Sequence, residues 1–421
     1  MKKIYILIIM ISLLSSNMLM ANKLLIPMDL SQTDHLKAYG ITFWWLKEGG
    51  TGDWLLNYRA GSFMFDYSDK IATECRIRGV DFENLSDAQA NAIYAEVQDV
   101  NVNMDVVRLE KSPKIAVYAP PGNQPWDDAV RMVLEYAEVD HDIIWDEEVL
   151  SGKLKDYDWL HLHHEDFTGQ YGKFWRNYAH APWYIKQVSD NTQMAENMGY
   201  KKVSKMKKDI ALSIREFIAN GGFLFAMCSA TDSYDIALAA MDVDICETMF
   251  DGDPCDKSAN QALNYDNTLA FKDFKVILDP TIYEFSDIDI DAELLRATSD
   301  TDYFTLFEFS AKYDPVPTML TQCHANVIPG FLGQTTAFHK KFIKKSTIIL
   351  AEREGTDQVK YIHGKFGSGF FTWYGGHDPE DYTHFVDDPP TDVSLHKNSP
   401  GYRLILNNVL FPAAKKKKQK T

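Results

Sequence analysis

The sequence predicts an α/β fold: a doubly wound, mostly parallel sheet with an N-terminal α/β extension. Two observations predict it. From Lys114 onward, short apolar runs rich in β-branched and aromatic residues alternate with longer helical stretches, the order that builds strand–helix–strand crossovers. Polar clusters close several of these runs, at Pro120-Pro121-Gly122-Asn123, His163-His164-Glu165-Asp166 and Cys228, and in open α/β sheets ligands bind beyond the carboxyl ends of the strands.

The elements follow in chain order. Residues 1–21 read as an export signal: Lys2 and Lys3, the apolar run Ile4 to Leu14, then Ala21 at a cleavage point. That run is shorter than a bilayer span, no cysteine follows the cleavage point, and no later stretch is long and apolar enough to cross. The expectation is an exported protein, periplasmic or extracellular, with no stable membrane insertion after signal cleavage. Residues 22–110 are expected as an α/β subdomain on the edge of the main sheet: a strand at Lys23 to Met28, a helix at Asp34 to Lys47, an extended stretch Trp54 to Phe65, and helices over Ser68 to Arg78 and Ala88 to Val97.

Residues 111–414 carry the main domain. Strands are expected at Lys114 to Tyr118, His141 to Trp145 and Tyr157 to His163, with a helix over Trp126 to Glu138 between the first two. A helix-rich insert covers 171–208, the helix Ile210 to Ala219 follows, and Gly221-Gly222 opens the strand that ends at Met227. Residues 241–345 have many Asp and little periodicity, which predicts loops, short strands and a lid. Ser346 to Ala351 and Val359 to Tyr374 read as extended, with Gly364, Gly367 and Gly369 marking turns or bulges. Tyr402 to Leu410 reads as a closing helix, and 415–421 as a frayed basic tail.

Formal charge is −17 over the whole chain, and residues 22–414 hold 36 basic against 60 acidic side chains, or −24. Such a surface repels nucleic acid and anionic lipid. The partners expected are therefore a small-molecule, glycan or peptide substrate, and no cofactor is called for. Phe43-Trp44-Trp45, Phe174-Trp175 and Trp183-Tyr184 suit either sugar stacking or core packing.

Cys228 sits where a buried strand runs into a helix. A thiol at such a turn points outward, and the positive end of the following helix favours its thiolate. Far downstream, Gly375-Gly376-His377-Asp378-Pro379-Glu380 closes another apolar run and offers an imidazole and two carboxylates, the partners of a cysteine nucleophile. Cys246 and Cys255 flank a turn-rich segment that a local disulfide could span. His161 and His163 alternate on one strand face, where with Glu165 or Asp166 they form an alternative, metal-binding set. His164 and Glu165, nearest the strand end, are candidate substrate contacts.

Through the opening strand, the stretch Asn220-Gly221-Gly222 to Cys228 and the segment Gly369 to His377, the chain resembles the class I glutamine amidotransferase-like superfamily, which includes trehalose-utilisation-like proteins. The resemblance implies a flavodoxin-like fold, Cys228 as nucleophile, His377 as base, and Glu380 as the carboxylate orienting it, with Asp378 able to replace Glu380. It also implies an oxyanion hole from the N–H groups of Ser229 and of Gly122 or Asn123. Ala226 and Ala230 stand where that superfamily has glycines, and two residues rather than one separate His377 from Glu380. The alternative on the same fold is a non-catalytic module that binds carbohydrate or peptide. Similar bacterial chains carry the name asparagine synthetase B, but the N-terminal cysteine and Ser-Gly-Gly-x-Asp-Ser loop of that chemistry are absent.

Overall fold

The computed structural model describes residues 22–122, 124–290, 297–314 and 316–414. The expected export signal, Asn123 and the basic tail lie outside the described residues.

The N-terminal segment forms a sheet of its own, not an addition to the edge of the main one. Strands β1 (Lys23–Ile26), β2 (Gly52–Leu56), β3 (Ser62–Asp66), β4 (Glu83–Leu85) and β5 (Asp105–Leu109) pair antiparallel in the order β4-β1-β3-β2-β5. Its helices start where the sequence supplies capping side chains. Asp34 accepts the Lys37 N–H ahead of α1 (His35–Lys47), Ser68 caps α2 (Asp69–Arg78), and Ser86 with Gln89 forms a capping box for α3 (Asp87–Gln98).

The main sheet corrects the fold expectation. Strands β6 (Ile115–Tyr118), β7 (Asp142–Ile144), β8 (Trp159–Leu162), β9 (Phe223–Met227) and β15 (Gly369–Tyr374) run parallel, in the order β7-β6-β8-β9-β15. Beyond β15 the sheet continues antiparallel through β14 (Gln358–Phe366), β13 (Thr347–Glu352), β10 (Tyr303–Leu306) and β11 (Val327–Pro329), with β12 (Phe338–His339) also on β14. The ten-stranded sheet is mixed rather than mostly parallel, and the doubly wound, flavodoxin-like reading does not hold. Chain length between strands is the reason: only Gly367 and Ser368 separate β14 from β15, and a parallel pair needs a crossover of roughly a dozen residues or more.

Alternation along the parallel strands divides their side chains between two helical layers. Trp159, Phe223 and Phe225 face a core shared with α1, α4 (Ala129–Ala137) and α8 (Pro400–Leu410). Leu160, Leu162, Leu224 and Ala226 face a second core under α6 (Val203–Ala219) and α7 (Ser229–Ala239), with α5 (Pro182–Asn197) outside α6. The first core is continuous with the N-terminal sheet. A Cβ on Gly40 of α1 would lie 1.7 Å from the Ala137 carbonyl oxygen, so the two helices touch backbone to backbone.

Candidate active site

The site gathers at the carboxyl ends of β8, β9 and β15 and in the loop ahead of α4. Cys228 follows β9 directly and has φ 49° and ψ −141°, a conformation that costs a non-glycine residue about 1–3 kcal/mol and persists only where its surroundings hold it. Its own N–H donates to the Gly376 carbonyl (3.2 Å), and its carbonyl accepts from the N–H and hydroxyl of Thr231. The strained turn is thereby clamped between α7 and the end of β15.

The clamp brings the Cys228 thiol beside the His377 ring, close enough for the imidazole to act on it electrostatically. His377 Nε2 lies 3.0 Å from Asp127 Oδ1, and its Nδ1 lies 3.2 Å from His163 Nε2. His384 stacks on His377 with centroids 4.7 Å apart, and its Nδ1 pairs with Asp381 at 2.9 Å. Opposite β15, residues 331–336 zip onto the His377 turn: His377 N–H donates to Leu332, and Gly376 N–H to Thr335. A Cβ on Gly333 would meet the Gly376 carbonyl carbon and the His377 nitrogen at 2.8 Å each, so only glycine allows so close an approach.

Electrostatics follow from these contacts. Burial alone would raise the Cys228 thiol, but the hydrogen bond and charge of His377, with donation from the Thr335 and Gln334 N–H groups, hold it below its ordinary 9.0. Burial also disfavours the His377 cation, yet the hydrogen bonds to Asp127 and Cys228 carry it up to about 10. Burial raises the Asp127 carboxyl, and the His377 bond and charge outweigh it to leave it lowered. The three groups thus favour a thiolate, an imidazolium and a carboxylate in a row.

Among the sequence-predicted site residues, the structure joins Cys228 to His377 and sends both expected carboxylates elsewhere. Glu380 pairs with His396 Nδ1 at 2.8 Å, and Asp378 is buried, accepting from the Tyr402 hydroxyl (2.7 Å) and the Glu380 N–H (2.9 Å). The turn through Pro379 aims them away from the imidazole, and Asp127 fills the role. Ser229 opens α7 beside the thiol, and its buried hydroxyl has no partner among the described residues. Gly122 is exposed and lines a neighbouring cavity; Asn123 is not described. The donors that do reach the sulfur, at 334 and 335, lie in the stretch expected to be irregular.

His164 and Glu165 line that cavity of about 200 Å³, with Trp126, Trp183 and Tyr171 among its walls. Burial, and next the Asp128 charge, push the Glu165 carboxyl up to about 8; burial, and next the His377 charge, lower His164 to about 3. Trp126 stacks on Phe174 at 5.4 Å and meets Trp183 edge-on at 5.3 Å. Two of the three aromatic stretches therefore reach the cavity wall or its support, while Trp44 packs under Lys70 and Arg78.

Of the expected metal set, His161 and His163 come together, but around Asp128 rather than Glu165 or Asp166. His161 is fully buried, with Nδ1 3.1 Å from the Phe225 carbonyl oxygen and Nε2 3.3 Å from Asp128 Oδ1. Asp166 is spent on its own loop, accepting from the N–H and hydroxyl of Thr168 and from the Gly172 N–H. Cys246 and Cys255 are both free thiols, bonded to the Thr168 carbonyl and the Glu247 carboxylate respectively. Asp127 and Asp128 do not stand out in the sequence, because Trp126 to Glu138 reads as one helix. The signal was there: an Asp pair closing the loop after the first parallel strand is a helix-cap pattern at the ligand-binding edge.

No family model matches the chain, and no curated protein matches it. Among solved structures it is similar to the cytoplasmic protein STM1381 from Salmonella typhimurium LT2 (12% identity, TM-score 0.37, 72% of this chain and 100% of that one). It is also similar to the cytoplasmic protein STM3548 from Salmonella typhimurium (10%, 0.34, 72% and 99%) and to a catalytic mutant of Gan42B, a GH42 β-galactosidase from G. stearothermophilus (10%, 0.27, 63% and 27%). Likeness at this level assigns the chain neither a fold family nor an activity.

Proposed function

We propose that the chain is an exported cysteine-dependent hydrolase acting on an amide or related carbonyl bond of a small-molecule, glycan or peptide substrate. The observation that supports this most directly is a cysteine in a strained strand-to-helix turn, its thiol beside a histidine that a half-buried aspartate orients. The Cys228 thiolate attacks the carbonyl carbon and forms the C–S bond. As the C–N bond breaks, the His377 imidazolium gives its proton to the leaving amine. Neutral His377 then takes a proton from water, the hydroxide attacks the thioester, and the thiolate leaves. Asp127 acts as a positioning residue, holding the ring and stabilising its cation. The Ser229 N–H at the start of α7 is the nearest backbone candidate for the oxyanion. The resemblance to class I glutamine amidotransferase-like proteins rests, on this reading, on the cysteine turn and its histidine, with a carboxylate from another loop.

Brief treatment with iodoacetamide at pH 6, followed by peptide mass spectrometry, tests the reading. Cys228 is expected to be modified before Cys75, Cys246, Cys255 and Cys323. A native Cys228 no faster than those four would sink the nucleophile.

A further inference from the structure

Three histidines at this site make a second arrangement that the thiol mechanism does not use. One ring nitrogen from each of His163, His164 and His377 falls in a common group within 4.8 Å. His163 Nε2 and His377 Nδ1 are 3.2 Å apart. Two nitrogens each about 2.0–2.1 Å from one zinc ion in tetrahedral geometry stand roughly 3.3 Å apart, so these two already have the spacing of a ligand pair.

The far side of each ring supports the same reading. Histidines that bind metal turn their other nitrogen to a carboxylate, which fixes the ring and strengthens the donor. His377 Nε2 faces Asp127 at 3.0 Å, and His163 Nδ1 faces Asp128 at 3.4 Å. His164 Nε2 lies 3.9 Å from Glu165 Oε1, and its Nδ1 is buried with no hydrogen-bond partner among the described residues.

We propose that His163, His164 and His377 form a three-histidine site for a divalent transition ion of the zinc class, with one coordination position left open. The site stands on the histidines alone. Its consequence rests on the hydrolase reading: an ion on His377 displaces the proton of its imidazolium to solvent and removes the partner of the Cys228 thiol, so metal and cysteine chemistry exclude one another. Zinc is the probe because it brings no redox chemistry to the thiol.

The test is calorimetric titration of the chelator-treated full chain with Zn²⁺, alongside H163N, H164N, C228S and the exposed-residue control H180A, each checked for folding by circular dichroism. One equivalent is expected to bind. H163N and H164N should each weaken binding at least about tenfold, H180A should keep the wild-type affinity, and C228S, which removes a group that holds the His377 proton, should bind at least as tightly as the parent. Cobalt in place of zinc, on the wild-type chain alone, should give the strong visible bands of a four-coordinate ion. No stoichiometric binding, binding that survives H163N and H164N, loss of binding in C228S, or a six-coordinate cobalt spectrum would each overturn the site. Zinc should also slow iodoacetamide labelling of Cys228. The labelling rate of metal-free protein reports on the thiolate separately, so either idea can fail without the other.

Discussion

Cys228 carries its strain because three neighbours hold it: Gly376 through the backbone, Thr231 through its N–H and hydroxyl, and His377 through the ring. Strain retained at a polar, buried turn marks a residue whose orientation matters. Glu165 shows the same economy of environment in its protonation. Its carboxyl titrates near 8 in the folded chain against an ordinary 4.5, so the fold prefers the protonated acid. That preference stabilises the fold fully below pH 4.5 and is lost as pH rises through 8. Glu165→Gln has no proton to lose and keeps an oxygen for the His163 N–H. Thermal unfolding at pH 5 and pH 8 should show the variant gaining on the parent as pH rises, at up to ~1.4 kcal/mol per pH unit. An offset independent of pH would mean that Glu165 is already ionised in the fold.

At the scale of elements, the site is a junction between β9, β15 and the 331–336 loop. Gly333 makes it possible, since any side chain there would push the loop off Gly376 and His377. Gly333→Ala is expected to slow Cys228 alkylation about tenfold or more, because it draws the Gln334 and Thr335 donors away from the sulfur, and to destabilise the chain by about 1–3 kcal/mol. Unchanged labelling would show that the loop donors do not tune the thiol. This junction also marks how far sequence reaches. The strands Ile115–Tyr118, Trp159–Leu162 and Phe223–Met227 were legible because their apolar runs are short, continuous and followed by polar clusters. The meeting of Cys228 with His377 followed from both lying at strand ends. The carboxylate was not legible: Asp127 is 250 residues from His377 in sequence, and Glu380, the near choice, is drawn off by His396. Nor was the antiparallel half, since glycines that mark a turn do not say whether the chain reverses or crosses over.

Across the whole molecule, the N-terminal sheet is structural support for the site. Its helix α1 packs on α4 and α8, and α4 is capped by Asp128, next to Asp127. Gly40 lets α1 approach the Ala137 carbonyl, and Gly40→Ala would wedge the two helices apart. We expect a loss of about 1–3 kcal/mol in urea unfolding together with slower Cys228 labelling, since Asp127 moves with α4. Lost stability with full labelling would separate the N-terminal sheet from the site.

The central claim is that His377, oriented by Asp127, makes Cys228 a thiolate, and the pH dependence of its alkylation rate measures that claim directly. Iodoacetamide reacts with the thiolate, so the rate follows its titration. In the parent chain the rising limb should lie below pH 9, because the imidazolium persists up to about 10 and outweighs burial. In His377→Gln only the Gln334 and Thr335 donors remain against burial and the limb should move to higher pH, with Asp127→Asn falling between. Coincident profiles for parent and His377→Gln would contradict the account.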